Sequence, residues 1–130
     1  MEIVRRVYDA ASRRDSATVL ALYDPEVELD NTRLQIVGGA GGVYHGHDGL
    51  RRFFREWHDS WQKIDYDFDE LIEAGEQVIS VVTRRGRGRA SGAEVEWRGA
   101  LVWTIRQCKV VRVVWFRTRA EALEAAGLSE

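Results

Sequence analysis

With 130 residues the chain has material for a single domain spanning 1–130, because two would leave neither half an adequate core. Hydrophobic residues at 45%, charged residues at 31% and rings from five Trp, four Tyr and four Phe describe a globular domain, which excludes disorder, and the absence of any long apolar run excludes a membrane-spanning helix. A net charge of -2 removes the electrostatic ground for nucleic-acid binding, and a single cysteine, Cys108, excludes an internal disulfide and any multi-cysteine metal site. Met1-Glu2 and an Arg-rich start do not read as a secretory leader, so a reducing cytoplasm is the expected location.

Residues 2–13 have helical periodicity, with Ile3, Val4, Val7, Tyr8 and Ala11 on one face and arginines on the other. Asp15 reads as the N-cap of a second, short helix that Pro25, the sole proline, closes. Val27, Leu29 and Asn31 then alternate with acidic residues as in a half-buried strand. Six of the twelve glycines fall in GGAGGVYHGHDG (38–49), a loop with at most a short strand near Val43–His45. Leu50, Phe53, Phe54, Trp57 and Trp61 form the stripe of a third helix. From Ile64 the period changes to two, placing Tyr66, Phe68, Glu70 and Ile72 on one face of a strand that turns at Ala74-Gly75-Glu76-Gln77. Val78–Thr83 is a β-branched strand, RRGRGRASGA a solvated connection, Glu94–Arg106 a long strand and Val110–Arg117 the last one after a turn at Gln107-Cys108-Lys109. Thr118 and Glu121 form a capping box for a final helix that Gly127 ends.

The order helix, helix, strand, helix, then an antiparallel meander is α+β. Together with the segments IVRRVYDAASRRD, LYDPEVELDN, VYHGHDGLRRFFREW, WRGALVWTI and KVVRVVWFRTRAEALEAAG, it resembles the SnoaL-like branch of the nuclear-transport-factor-two-like superfamily, relatives of polyketide cyclases and steroid isomerases. The resemblance covers essentially the whole chain. It implies a cone-shaped curved antiparallel sheet wrapped around helices with a central cavity. It also implies a proton-shuttling acid at the end of the first strand, where this chain has Asn31 beside Asp30, and a hydrogen-bond donor on the penultimate strand, where it has the apolar Leu101. Tyr8 stands near the position of a tyrosine on the first helix. An amide cannot accept a proton at neutral pH, so steroid isomerisation is not expected.

Several side chains are candidates for a site. Trp57, Trp61, Trp97 and Trp103 admit two readings: plain core packing, or the wall of a cavity for a planar apolar molecule, with Trp115 deeper in the packing. Glu70, in phase with Tyr66 and Phe68, would enter the cavity with a raised pKa and serve as general acid or base; a twist or bulge would instead leave it solvated. Arg117, in phase with Val113 and Trp115, would pair with an anion there or lie on the rim. In HGHD, His47 reads as a helix cap and His45 as a group at the cavity mouth; the third ligand a metal needs is absent, and no cofactor is expected. His58 reads as solvated, and Cys108 as an exposed thiol.

Ala100, Val102, Val110, Val114 and Phe116 make the second face of the last strands apolar too, which anticipates a homodimer through that outer face. The functional expectation is a protein binding a small apolar molecule, with no nucleic-acid or membrane partner. It is either a cofactor-independent isomerase, cyclase or hydrolase using Tyr8, Asn31 and Glu70, or a non-catalytic binding module.

Overall fold

The computed structural model describes residues 2–32, 42–89 and 92–128, the side chains of Lys63, Tyr66 and Phe68 excepted. Helix α1 (Glu2–Ser12) buries Val4, Val7, Tyr8 and Ala10 along the stripe its periodicity predicts. Asp15 caps α2 (Ser16–Leu22), its carboxylate accepting the Thr18 backbone N–H at 3.2 Å. Pro25 does not close that helix: α2 ends at Leu22, and Pro25 lies inside strand β1 (Tyr23–Asp30). It falls where the pairing register slips between Tyr23 and Glu28, a place where a missing N–H costs no ladder bond.

Strand β2 (Val43–His45) pairs with β1, and the glycines at 38–41 lie outside the described residues. Helix α3 (Gly46–Ser60) buries Leu50, Phe53 and Trp57. Trp61, expected on its stripe, is instead the first residue of β3 (Trp61–Ala74), because the chain turns extended there. Strands β4 (Gln77–Gly88), β5 (Glu94–Arg106) and β6 (Lys109–Phe116) complete a curled sheet of order β2-β1-β6-β5-β4-β3. One pairing corrects the antiparallel expectation: β1 runs parallel to β6, Leu29 opposite Val113. A second correction concerns the arginine-rich segment. Arg84–Gly88 is not a solvated connection but the second half of β4, paired with Glu94–Trp97 and β3.

The concave face holds the main core with α1, α2 and α3, and Val110 belongs to it. On the convex face Ile79, Val81, Ala100 and Val102 pack under Ala122 and Leu123 of α4 (Arg119–Ala125). Thr118 caps that helix, accepting the Glu121 N–H at 3.1 Å, and Gly127 follows it at φ 79°. Burial of Leu123 alone is worth on the order of 2 kcal/mol. The outer apolar face that anticipated a dimer is thus largely covered by the chain's own last helix. Among the described residues, no helix is long and apolar enough to cross a membrane.

Candidate functional site

The two-residue period of β4 determines what faces the inside of the cone. Val78, Ser80, Val82 and Arg84 share the concave face, while Ile79 and Val81 join the convex cluster. Ser80 is opposite Leu101, which is opposite Trp115; Val78 is opposite Trp103, which is opposite Val113. Helices α1 and α3 stand over these rows and leave a cavity of about 570 Å³. That volume lies within the usual range for small-molecule sites.

Its inner wall is aromatic and aliphatic: Tyr8, Tyr23, Phe53, Trp57, Leu101, Trp103 and Trp115. Trp57 and Trp115 meet edge to face at 5.6 Å, and Phe53 stacks on Trp57 at 5.8 Å. Four polar groups form one network at this wall. The Trp103 indole N–H donates to Ser80 Oγ at 2.9 Å, and the Tyr8 hydroxyl shares a 3.1 Å hydrogen bond with the same oxygen. Tyr8 also hydrogen-bonds Arg84, whose guanidinium carbon lies 4.7 Å from the Trp115 ring centre. Burial pushes both phenols, Tyr8 and Tyr23, above the ordinary tyrosine value, so Tyr8 is a neutral hydrogen-bonding group and not a base. The lining also includes the polar residues Ser12, Arg14, Asp15, His58, Gln62 and Asp65.

The predicted residues divide. Tyr8, Trp57, Leu101 and Trp103 line the cavity. Trp61 and Trp97 do not; they stack on each other at 5.3 Å beside Trp57, as core. Asn31 is fully buried just beyond β1, its backbone N–H donating to the Gly42 carbonyl at 2.8 Å, and is not part of the lining. His45 is exposed because Tyr44 takes the inward position of the short β2, and its Nε2 sits 3.8 Å from Glu28. His47 does not cap α3 with its ring but meets the Tyr23 carbonyl at 3.0 Å. Arg117 follows the last residue of β6 and is exposed, the strand ending before its phase applies.

Glu70 requires the largest correction. The β3–β4 register slips between Phe68 and Glu70, so Phe68 is opposite Val82 but Glu70 is opposite the convex residue Val81. This bulge reverses the face. Glu70 therefore leaves the cavity and binds Arg119 of α4 through both oxygens, at 2.8 and 3.1 Å. That hydrogen bonding holds its carboxyl below the usual carboxylate range, opposite to the expected shift.

Arg84, Trp115 and His58 line the cavity, against the expectation of a solvated Arg84 and His58 and of a Trp115 deeper in the packing. His58 lines the cavity, and its Nδ1 is buried with no hydrogen-bond partner among the described residues. Burial, with Arg14 nearby, lowers its pKa, so the ring is neutral at pH 7. Its signal was the position beside Trp57 and four residues after Phe54. Among the described residues no cluster of three metal-ligating side chains converges.

The geometry has close counterparts in solved structures. A Burkholderia pseudomallei NTF2-like protein of unknown function is 30% identical, covering 95% of this chain and 94% of its own at a TM-score of 0.82. TerC, co-crystallized with polyporic acid, is 23% identical with coverage of 97% and 96% and a TM-score of 0.79. A Mycobacterium tuberculosis protein in complex with estradiol-17beta-hemisuccinate is 12% identical, with coverage of 90% and 92% and a TM-score of 0.75. No curated protein matches the sequence. The model of the SnoaL-like domain matches residues 4–113, and the chain belongs to that family.

Proposed function

We propose that this protein binds a small, largely apolar, flat molecule inside the cone. The observation that carries the reading is the cavity of about 570 Å³ walled by Phe53, Trp57, Trp103 and Trp115, with hydroxyls and an indole N–H fixed by a buried network. That neighbours of the same fold were crystallised with polyporic acid and with a steroid ester supports it. Titration with 2-naphthol or estradiol should quench tryptophan fluorescence saturably, and Trp103→Ala should weaken the binding roughly tenfold or more. No saturable response from either ligand would refute it.

A catalytic version of this reading, acid–base chemistry without a cofactor, rests on His58. It is neutral, lines the cavity, and carries a ring nitrogen with no hydrogen-bond partner among the described residues. It would take the role first sought in Glu70. The test is deuterium exchange at the α-carbons of 2-tetralone, a flat aromatic ketone, in D2O. Acceleration by the wild type that His58→Gln abolishes while binding persists supports catalysis; binding without acceleration leaves a binding module.

A further inference from the structure

Arg84 is the one charged side chain among the described residues that is buried, 8% exposed, and it lines the cavity. Its neighbours on β4 show what the strand does with polar groups elsewhere. Thr83 and Arg85 point to the convex side and are bonded there to Asp69 and Asp67. Arg84 points the other way, into aromatic surroundings, 4.7 Å from the Trp115 ring centre and 5.7 Å from that of Trp57. Taking a guanidinium out of water is expensive, and stacking on indole rings offsets only part of that. Its charge is felt across the cavity: it draws down the phenols of Tyr8 and Tyr23 against the upward push of burial.

A second donor stands beside the guanidinium. The Trp115 indole N–H is buried and has no hydrogen-bond partner among the described residues. A guanidinium has five N–H donors in a planar fork, so its bond to Tyr8 is compatible with a two-point contact to an oxyanion.

Building on the cavity reading above, we propose that the ligand is an organic anion: a flat aromatic body against Trp57, Trp103 and Trp115, bearing one carboxylate or acidic enol oxygen that Arg84, Tyr8 and Trp115 hold. The cavity then selects by charge as well as by shape, and a neutral molecule of the same outline forgoes the charge-assisted contact to Arg84.

The experiment compares 2-naphthoate with 2-naphthamide, which match in size and differ in charge, by calorimetry and tryptophan quenching at pH 7. Naphthoate should bind the wild type at least about tenfold more tightly. Arg84→Met, which keeps the stem and removes the charge, should abolish that preference, and Arg84→Lys should restore part of it. Equal or tighter binding of naphthamide to the wild type overturns the anion inference while leaving the cavity reading intact. Binding of neither overturns both. The wild-type comparison decides the matter even if Arg84→Met fails to fold, and a preference that survives in a folded Arg84→Met also overturns the inference.

Discussion

Removing one hydroxyl tests whether the polar network on β4 holds the cavity wall. Ser80 is fully buried; its oxygen accepts the Trp103 indole N–H at 2.9 Å and bonds the Tyr8 hydroxyl at 3.1 Å. Ser80→Ala takes away the partner of the Trp103 N–H, a loss of about 1–3 kcal/mol for a buried donor. Tyr8 retains Arg84, so its share is about 0.5–1.5 kcal/mol. The expected total is about 2–4 kcal/mol, at the lower end if water from the adjoining cavity takes the vacated place. For a domain of this length each kcal/mol moves Tm by about 4 °C, so thermal unfolding followed by circular dichroism should fall by about 8–15 °C. The cycle of Ser80→Ala with Trp103→Phe should show a coupling of about 1 kcal/mol. A Tm within about 2 °C of the wild type would refute the reasoning.

Glu70→Gln should leave 2-naphthol binding unchanged and lower Tm modestly, since the residue ties α4 to the convex face; loss of ligand binding would contradict the bulge reading. Because the folded Glu70 carboxyl titrates below its unfolded value, its contribution is present above the ordinary carboxylate range and lost as pH falls through the depressed value, to be seen as a smaller acid loss of stability in Glu70→Gln. For His58 the NMR titration midpoint should lie below about 6.5, and stability should decline as pH falls from that value toward the folded one, because the unfolded ring protonates first; a midpoint at or above 6.5 would negate its burial. A homodimer through the outer face remains our proposal with a smaller footprint, around Arg112, Val114 and Phe116 beside α4. Light scattering at micromolar concentration should give twice the chain mass, and Phe116→Glu should return it to one; a wild-type monomer would end the proposal.

Much of this architecture was legible because period and punctuation agreed. Asp15, Thr118 and Gly127 mark helix ends by chemistry local to each residue, and the β-branched run at 78–83 and the long apolar segment at 94–106 read as strands. What escaped was non-local. A single bulge after Phe68 inverts the face of Glu70, and nothing in ELIEAG announces it. The arginines at 84, 85 and 87 look like a solvated run, yet the alternation of Val78, Ser80 and Val82 continues through Arg84; one member of the run is carried inside while Arg85 and Arg87 remain out. The tryptophans could not be divided between wall and core without knowing that Trp61 and Trp97 stack on one another.

The parallel pairing of β1 with β6 also constrains how the chain acquires its shape in time. Glu28 meets Arg112 across 84 residues, whereas β3 to β6 form successive hairpins from close neighbours. Closing a loop of that length from an unfolded chain costs about 4 kcal/mol of entropy, but the intervening hairpins shorten the effective loop once they exist. Loop closure therefore favours assembly of the meander first, with α1, α2 and β1 docking afterwards against β6, which is synthesised after them. During synthesis β1 has only β2 to pair with. The cavity, walled by α1 on one side and β6 on the other, comes into being in that last step, as a product of chain closure.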